Sequence, residues 1–418
     1  MTEPAYVRRD GCGIEALNVW CGLAAITVQE LFRGRGLDTD RIDNLMMTRR
    51  SLALPFEDPV TNAVNAARPI VDALPPEQRD RIEILVTSTE SGVDYSKSVA
   101  SYVHEYLGLS RHCRMIEVKQ ACFGATAAVQ LATGYLASGL SPGAKALVIA
   151  TDVAVVDERA AYSEPAAGHG AAAVLLSDDP RVMPLDLGAF GNYSYETLDS
   201  ARPAPDFDIA DVDRSLFAYL DCLTHSFADY ADRVEGVDIA TTFDHLVMHT
   251  PFAGLVKAAH RKLMRDRGKP AGELQEDFAR RVVPSLRYPS LVGNLCSGSV
   301  YLALASLLDS GTVTAPSRVG VFSYGSGCSS EFFSGVVDAE SAATVSAMNI
   351  GTHVENRADV SFDEYTGLLE ENLKCLVPVQ DRMIDAARWE AIGQRAVDRK
   401  EILAFTGVKN YHRQYTWR

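Results

Sequence analysis

Short apolar runs that end in a polar residue recur along the chain, each followed by a segment of helical spacing. RIEILVTSTE (81–90) predicts a buried strand that delivers Glu90 at its C-terminal end. Helical spacing follows from Ser96 to Leu107, and a second strand, Arg114–Lys119, runs into Gln120-Ala121-Cys122. The stretch ACFGATAAVQLATGYLA (121–137) is small or apolar at nearly every position, which predicts a helix buried all round. AKALVIAT (144–151) reads as a strand ending at Asp152, and Gly170–Leu176 as another. The second half repeats this grammar. Phe217–Tyr230 is helical, His245–Met248 is a strand that delivers His249, and Phe252–Arg267 is helical again. Asn294 opens a small-residue helix (Ser297–Leu308), and the strand Arg318–Tyr324 ends in Gly325-Ser326-Gly327 with Glu331–Val337 as hairpin partner. This rhythm predicts a duplicated α/β unit whose active residues gather where strands end and helices begin. From Ala339 the chain is more polar, with helices expected at 363–374 and 380–401, packed on the outside.

Composition narrows the class. Hydrophobic residues make up 47% of the 418 and charged residues 23%, which excludes disorder as the main state. The net charge of −15 argues against a nucleic-acid partner. No apolar run spans a membrane, and Met1–Asp10 lacks the apolar core of a signal peptide, so a cytoplasmic location is expected. The eight cysteines form no C-x-x-C pair and no zinc-site spacing, so they read as reduced thiols and no metal is expected.

Three residues then stand out chemically. Cys122 sits where a strand gives way to a helix, a place where the helix dipole lowers a thiol pKa. Taken alone it reads better as a plain core cysteine. Glu90 alone is a solvated strand end, and His249 alone a hydrogen-bonded structural histidine. Together they supply a nucleophile, a carboxyl group and an imidazole at strand ends of one α/β body, the set that covalent acyl transfer needs. Gly325-Ser326-Gly327 offers backbone N–H groups to an oxyanion or is an ordinary hairpin turn, and Asn294 donates to a carbonyl or caps its helix. Gly168-His169-Gly170 precedes a strand instead of opening a helix, so it implies no dinucleotide cofactor. Lys257, Arg261 and Arg265 recur on one helical face, with Lys262, Arg267 and Lys269 nearby and only Asp266 against them. That cluster is a solvated face or a dock for an acidic, phosphate-bearing partner.

The segment VKQACFGATAAVQLATGYL resembles the 3-hydroxy-3-methylglutaryl synthase family of the thiolase superfamily. LVTSTESGVDYSKS, HTPFAGLVKAAHRKLM, VGNLCSGSVYLALASLL and FSYGSGCSSEFFSG extend the likeness, in the family's order, from Gly13 to Val337. NVWCGLAAITVQELFRGRGLD and LALPFEDPVTNAVNAARPIVDAL are most similar to the branch that installs β-branches on carrier-bound polyketide chains. The resemblance implies a thiolase fold, with duplicated βαβαβαββ halves in αβαβα layers, and a homodimer. Residues 1–178 would form the half with Glu90 and Cys122, and 179–418 the half with His249, Asn294 and a polar helical tail. It implies that Cys122 takes an acetyl group, that Glu90 moves protons, and that His249 polarises the acceptor's β-ketone with help from Asn294. Tyr324, Gly325 and Ser326 would line the acyl site, with the N–H groups of Cys122 and Ser326 as oxyanion hole. No bound cofactor is implied. Donor and acceptor acyl groups would arrive on phosphopantetheine, carried by acyl carrier proteins or by CoA.

Three positions depart from the family pattern: Phe123 stands where tyrosine is common, Val155-Val156 offers no tyrosine after Thr151-Asp152, and His169 replaces a small residue. They put the choice of acyl group, acetyl or larger, in question. Carrier proteins are acidic, so the resemblance makes Lys257, Arg261, Lys262 and Arg265 docking candidates, and Arg33 and Arg35 of the RGRG element a second patch. The alternatives are a primary-metabolic synthase using free CoA thioesters, a ketosynthase that would not need Glu90, and a silent scaffold that gathers carriers.

Overall fold

The computed structural model describes residues 11–155, 163–396 and 401–418; Met1–Asp10 and Val156, on which two expectations rest, lie outside the described residues. One mixed sheet runs through the molecule. Its strands in chain order are β1 (Gly13–Trp20), β2 (Ile82–Ser88), β3 (Arg114–Val118), β4 (Lys145–Asp152), β5 (Gly170–Ser177), β6 (Met183–Ser194), β7 (His245–Met248), β8 (Ser317–Gly325) and β9 (Ser329–Val337). They lie in the order β7-β8-β9-β6-β1-β5-β4-β2-β3. Read outward from the centre, β1-β5-β4-β2-β3 and β6-β9-β8-β7 follow one plan, the second, among the described residues, without an outermost strand. Between the two sets, β1 and β6 pair only through Gly13 with Pro184 and Ile14 with Met183. β2 runs parallel to β3 and β4, and β7 runs parallel to β8, so these strands end on a common side of their sets.

The strand periodicity builds the layers. Along β4, Ala146, Val148 and Ala150 face one core, while Leu147 and Ile149 face another. The first core also takes Val319 and Val321 of β8 and Phe333 of β9, together with the helices α3 (Gly124–Ala137) and α6 (Ser299–Leu308). These two helices therefore lie between the two strand sets. On the outer face of the first set pack α1 (Pro59–Ala73) and α2 (Val99–Tyr106). On that of the second pack α4 (Val212–Arg233) and α5 (Ala253–Asp266), against Leu246, Met248, Phe322 and Phe332. The result is five αβαβα layers, with every β4 and β5 residue buried on both faces.

Two expectations need correction. The 121–137 helix is not buried all round: Leu131 is 73% exposed, beside the open edge of β3, where Met115 and Ile116 are also exposed. An all-apolar composition cannot distinguish core from a surface awaiting a partner. The tail is not simply helical and external either. α7 (Phe362–Asn372) buries Tyr365 and Leu368, but among the described residues of 380–401 only α8 (Ala386–Gly393) is helical, after a short strand at Arg382–Met383. Beyond it a hairpin of β10 (Leu403–Lys409) and β11 (His412–Trp417) inserts Leu403 into the α1–α2 core. Arg413 and Tyr415 both bond the Asp58 carboxylate, at 2.8 Å each, and Asp58 is the cap of α1. Among the described residues no helix is long and apolar enough to cross a membrane.

Candidate active site

The ends of the parallel strands deliver the reactive groups. After β3 the chain turns through Gln120–Cys122 with Ala121 at φ 44°, a left-handed conformation that costs alanine about 1–3 kcal/mol. That turn sets Cys122 just ahead of α3. The helix can sit close because Gly124 has no side chain: a Cβ there would lie 2.5 Å from the Ser88 Oγ at the end of β2. Two residues past β2, Glu90 meets the turn, and the Cys122 thiol donates to its Oε1 at 3.2 Å. Asp152, last residue of β4, holds this loop: its Oδ1 accepts from the Glu90 N–H at 2.7 Å, Ser91 Oγ at 3.0 Å and Thr89 Oγ1 at 3.1 Å. Arg202 donates to the Glu90 carbonyl at 3.3 Å and to Ser91 Oγ at 2.9 Å.

The electrostatics correct one expectation. A hydrogen bond with Cys296 pulls the Cys122 thiol down, but burial and the charge and hydrogen bond of Glu90 outweigh it and push it up to about 12. Cys122 precedes the first helical residue, Gly124, and its nearest charged neighbour is an anion. At neutral pH Cys122 is thus a thiol, hydrogen-bonded to the Glu90 carboxyl group. Burial, then the nearby Glu90 charge, push the Asp152 carboxyl up, so it keeps its proton to a higher pH than an ordinary carboxyl while it holds the loop.

The second strand set supplies the other wall. His249 follows β7, is 2% exposed, and its N–H donates to the Phe322 carbonyl of β8 at 2.8 Å. Burial pushes the ring down to about 3, so it is a neutral imidazole, and its Nδ1 has no partner among the described residues. The β8–β9 turn reaches the Cys122 turn: a Cβ on Gly325 would lie 2.4 Å from the Phe123 N and 2.7 Å from the Gln120 O. Only glycine permits that approach, and Ser326 follows it. Asp199 fixes this turn, accepting from Tyr324 Oη at 2.7 Å and the Gly327 N–H at 2.9 Å. The Tyr324 hydroxyl is therefore engaged within the protein. Asn294 Oδ1 accepts from the Cys296 N–H at 3.0 Å and Ser299 Oγ at 2.6 Å, which leaves its amide nitrogen as the group that can meet an incoming carbonyl.

The candidate docking residues part company. Lys257, Arg261, Lys262 and Arg265 line one open groove of about 510 Å³ with Asp43, Asn44 and Met46, and Lys262 also pairs with Asp266 at 2.8 Å. Arg33 is exposed, but Arg35 forms a two-pronged pair with buried Glu164, at 2.8 and 3.0 Å. Of the departures, Phe123 is buried under Gly325, and Val155 packs beside Cys375 and Leu376. His169 is buried and pushed down to about 3 by desolvation and by Arg50 and Arg357; its Nδ1 lies 3.4 Å from Asn62.

Asp152, Asp199, Arg202 and Cys296 were not singled out as site residues from the sequence. Asp152 carried the signal that marked Glu90, a polar end to an apolar strand. Asp199 and Arg202 lie in an irregular polar stretch with none.

The models of the hydroxymethylglutaryl-coenzyme A synthase N-terminal and C-terminal regions match residues 11–181 and 265–378. The chain belongs to the hydroxymethylglutaryl-CoA synthase family. It is 44% identical to the polyketide biosynthesis 3-hydroxy-3-methylglutaryl-ACP synthase PksG of Bacillus subtilis, over 97% of this chain and 99% of that protein. It is 34% identical to the hydroxymethylglutaryl-CoA synthase of Enterococcus faecalis, over 76% of this chain and 80% of that one. The HMG synthase of the curacin biosynthetic pathway, solved in complex with acetyl donor-ACP, superimposes with a TM-score of 0.94 at 44% identity, over 98% of this chain and 100% of that one. The layered architecture described above is the thiolase fold shared by these HMG synthases, which are acyltransferase-type enzymes.

Proposed function

We propose that this protein condenses a Cys122-bound acetyl group with a β-ketoacyl thioester on an acyl carrier protein, giving a 3-hydroxy-3-methylglutaryl-type β-branch. The observation that carries this reading is the thiol–carboxylate contact of 3.2 Å between Cys122 and Glu90. A ketosynthase would have no use for that carboxylate; a synthase needs it three times. As Cys122 attacks the donor thioester, Glu90 takes the thiol proton and returns it to the departing phosphopantetheine thiol. Glu90 then removes a proton from the acetyl methyl, and the N–H groups of Cys122 and Ser326 hold the enolate oxygen. The enolate carbon attacks the acceptor's β-ketone, whose oxygen is polarised by neutral His249 and the Asn294 amide. Glu90 passes its proton to the new alkoxide, and water then cleaves the Cys122 thioester.

The Bacillus subtilis ACP synthase and the curacin HMG synthase solved with acetyl donor-ACP each match this chain at 44% identity, against 34% for the Enterococcus faecalis CoA synthase, which supports carriers as substrates. The basic groove along α5 suits an acidic carrier and its phosphate, in a protein of net charge −15. Arg33 is a second contact, for the donor carrier. We further infer two halves, 1–178 and 179–418, and a homodimer. A second copy would cover the open β3 edge and the exposed Leu131, Met115 and Ile116.

Intact-protein mass spectrometry tests the reading. Wild type mixed with acetyl-loaded carrier protein gains one acetyl group and Cys122→Ala gains none, with slower labelling from acetyl-CoA. Equal labelling from CoA would move the enzyme to primary metabolism, and no adduct from either donor or from a propionyl carrier would leave a scaffold.

A further inference from the structure

The condensation uses one thiol, but the site holds two. We propose that Cys122, Cys296 and Glu90 form a binding site for a thiophilic d10 cation, Zn2+ above all, that reversibly disarms the nucleophile. Their ligand atoms, two sulfurs and a carboxylate oxygen, all lie within 4.8 Å of one another. Tetrahedral zinc with bonds of about 2.3 Å to sulfur and about 2.0–2.2 Å to oxygen separates such ligands by about 3.5–3.8 Å, so modest side-chain rotation closes the set. Two thiolates and one carboxylate suit zinc, whereas Mg2+ and Ca2+ prefer oxygen alone.

Cys296 is held in place independently of any acyl chemistry. Its backbone is left-handed at φ 48°, its N–H is bonded by Asn294 Oδ1 at 3.0 Å, and the next residue, Ser297, bonds Ser88 at 2.9 Å. The spacing of cysteines along the chain hid this site, because its ligands come from the β2 loop, the turn after β3 and the turn before α6. Binding displaces the two thiol protons to solvent and fixes the Cys122 lone pair and Glu90 on the metal, with a fourth position left for water. No electron is transferred. The site itself rests on the three ligand atoms; its consequence for acetylation rests on the reading of Cys122 as acyl acceptor.

The test is Co2+ titration of the full chain, kept anaerobic with a phosphine reductant, followed by Zn2+ competition. One Co2+ per chain should give thiolate-to-cobalt charge-transfer absorption and the visible bands of a tetrahedral ion, both abolished by Zn2+. Cys296→Ser and Cys122→Ser should each weaken binding by more than about 100-fold, since even outer-shell partners of a metal are worth about 10–100-fold. Cys222→Ser, in the separate thiol pair with Cys328 (Sγ–Sγ 3.5 Å), should not change it. Weak octahedral bands, equal affinity in Cys296→Ser, or a Cys122–Cys296 disulfide in place of bound metal would overturn the site. Zn2+ should block acetylation until a chelator is added. Tight binding with acetylation undiminished would leave the metal site standing and overturn Cys122 as the acyl acceptor.

Discussion

A thiol at about 12 beside a carboxylate makes Cys122 slow toward reagents that need a ready thiolate and fast toward a substrate aligned between thiol and base. Glu90→Gln separates these behaviours. It removes the charge that raises the thiol and supplies an amide that can donate to a thiolate, so the thiolate fraction rises and iodoacetamide alkylation of Cys122 at pH 8 should accelerate. Condensation should meanwhile fall by about 10²–10⁴-fold, the range of a lost acid–base group. Slower alkylation in the variant would show that Glu90 works chiefly as the thiol's base. His249 gives a second prediction. Burial penalises its charged form, so the ring should stay neutral from pH 8 down to pH 5, and its NMR shifts should not titrate there. The sign for stability follows: unfolded histidine gains a proton below about 6.5 and the buried ring only near 3, so His249 costs stability as pH falls through that window. At this scale the placement was legible from sequence: Cys122, Glu90 and His249 all lie just past the strands expected to deliver them. What could not be read was the thiol's pKa, because it depends on an anion that sits 32 residues away along the chain.

Elements carry the precision of the site. The β8–β9 turn meets the Gln120–Cys122 turn because Gly325 allows backbone to approach backbone, Gly124 leaves room for the Ser88 side chain, and the Asn294–Cys296 turn brings Cys296 beside Cys122. Element existence was well signalled for β2–β5 and β7–β9, where buried strands are continuous apolar runs, whereas β1, β6 and α1 were not singled out. The tail was not. LAFTGVK and HRQYTW are short, and their pairing is decided by long-range contacts of Leu403 with α1 and of Arg413 with Asp58. Arg413→Ala should therefore cost about 3–5 kcal/mol, because it strands the buried Asp58 charge while leaving the cap of α1 in place. Urea unfolding would measure it, and a loss below about 1 kcal/mol would mean the hairpin is an ornament to the fold.

For the whole molecule, charge asymmetry is the feature with the longest reach. Lys257→Glu with Arg265→Glu should lower kcat/KM for carrier-bound acyl groups by roughly tenfold or more and flatten its dependence on salt, with fold stability unchanged, since both side chains are exposed. An unchanged salt slope in steady-state assays would remove the groove from the docking surface. The groove shows how far a sequence reaches by itself. Periodicity marked seven of the nine strands of the large sheet and most of the helices described, because burial on both faces of a strand leaves an unbroken apolar run, and it placed the polar residues at strand ends. The basic face of α5 was equally visible as a charge pattern at helical spacing. Only the tertiary structure decided that Arg35 turns inward to Glu164 while Lys257, Arg261, Lys262 and Arg265 share one groove with Asn44. Only it could reveal Leu131 as surface, Asp152 as the brace of the Glu90 loop and Cys296 as a second thiol beside Cys122. Each depends on which distant segment packs alongside, and local pattern encodes burial and turn chemistry but not the identity of a neighbour.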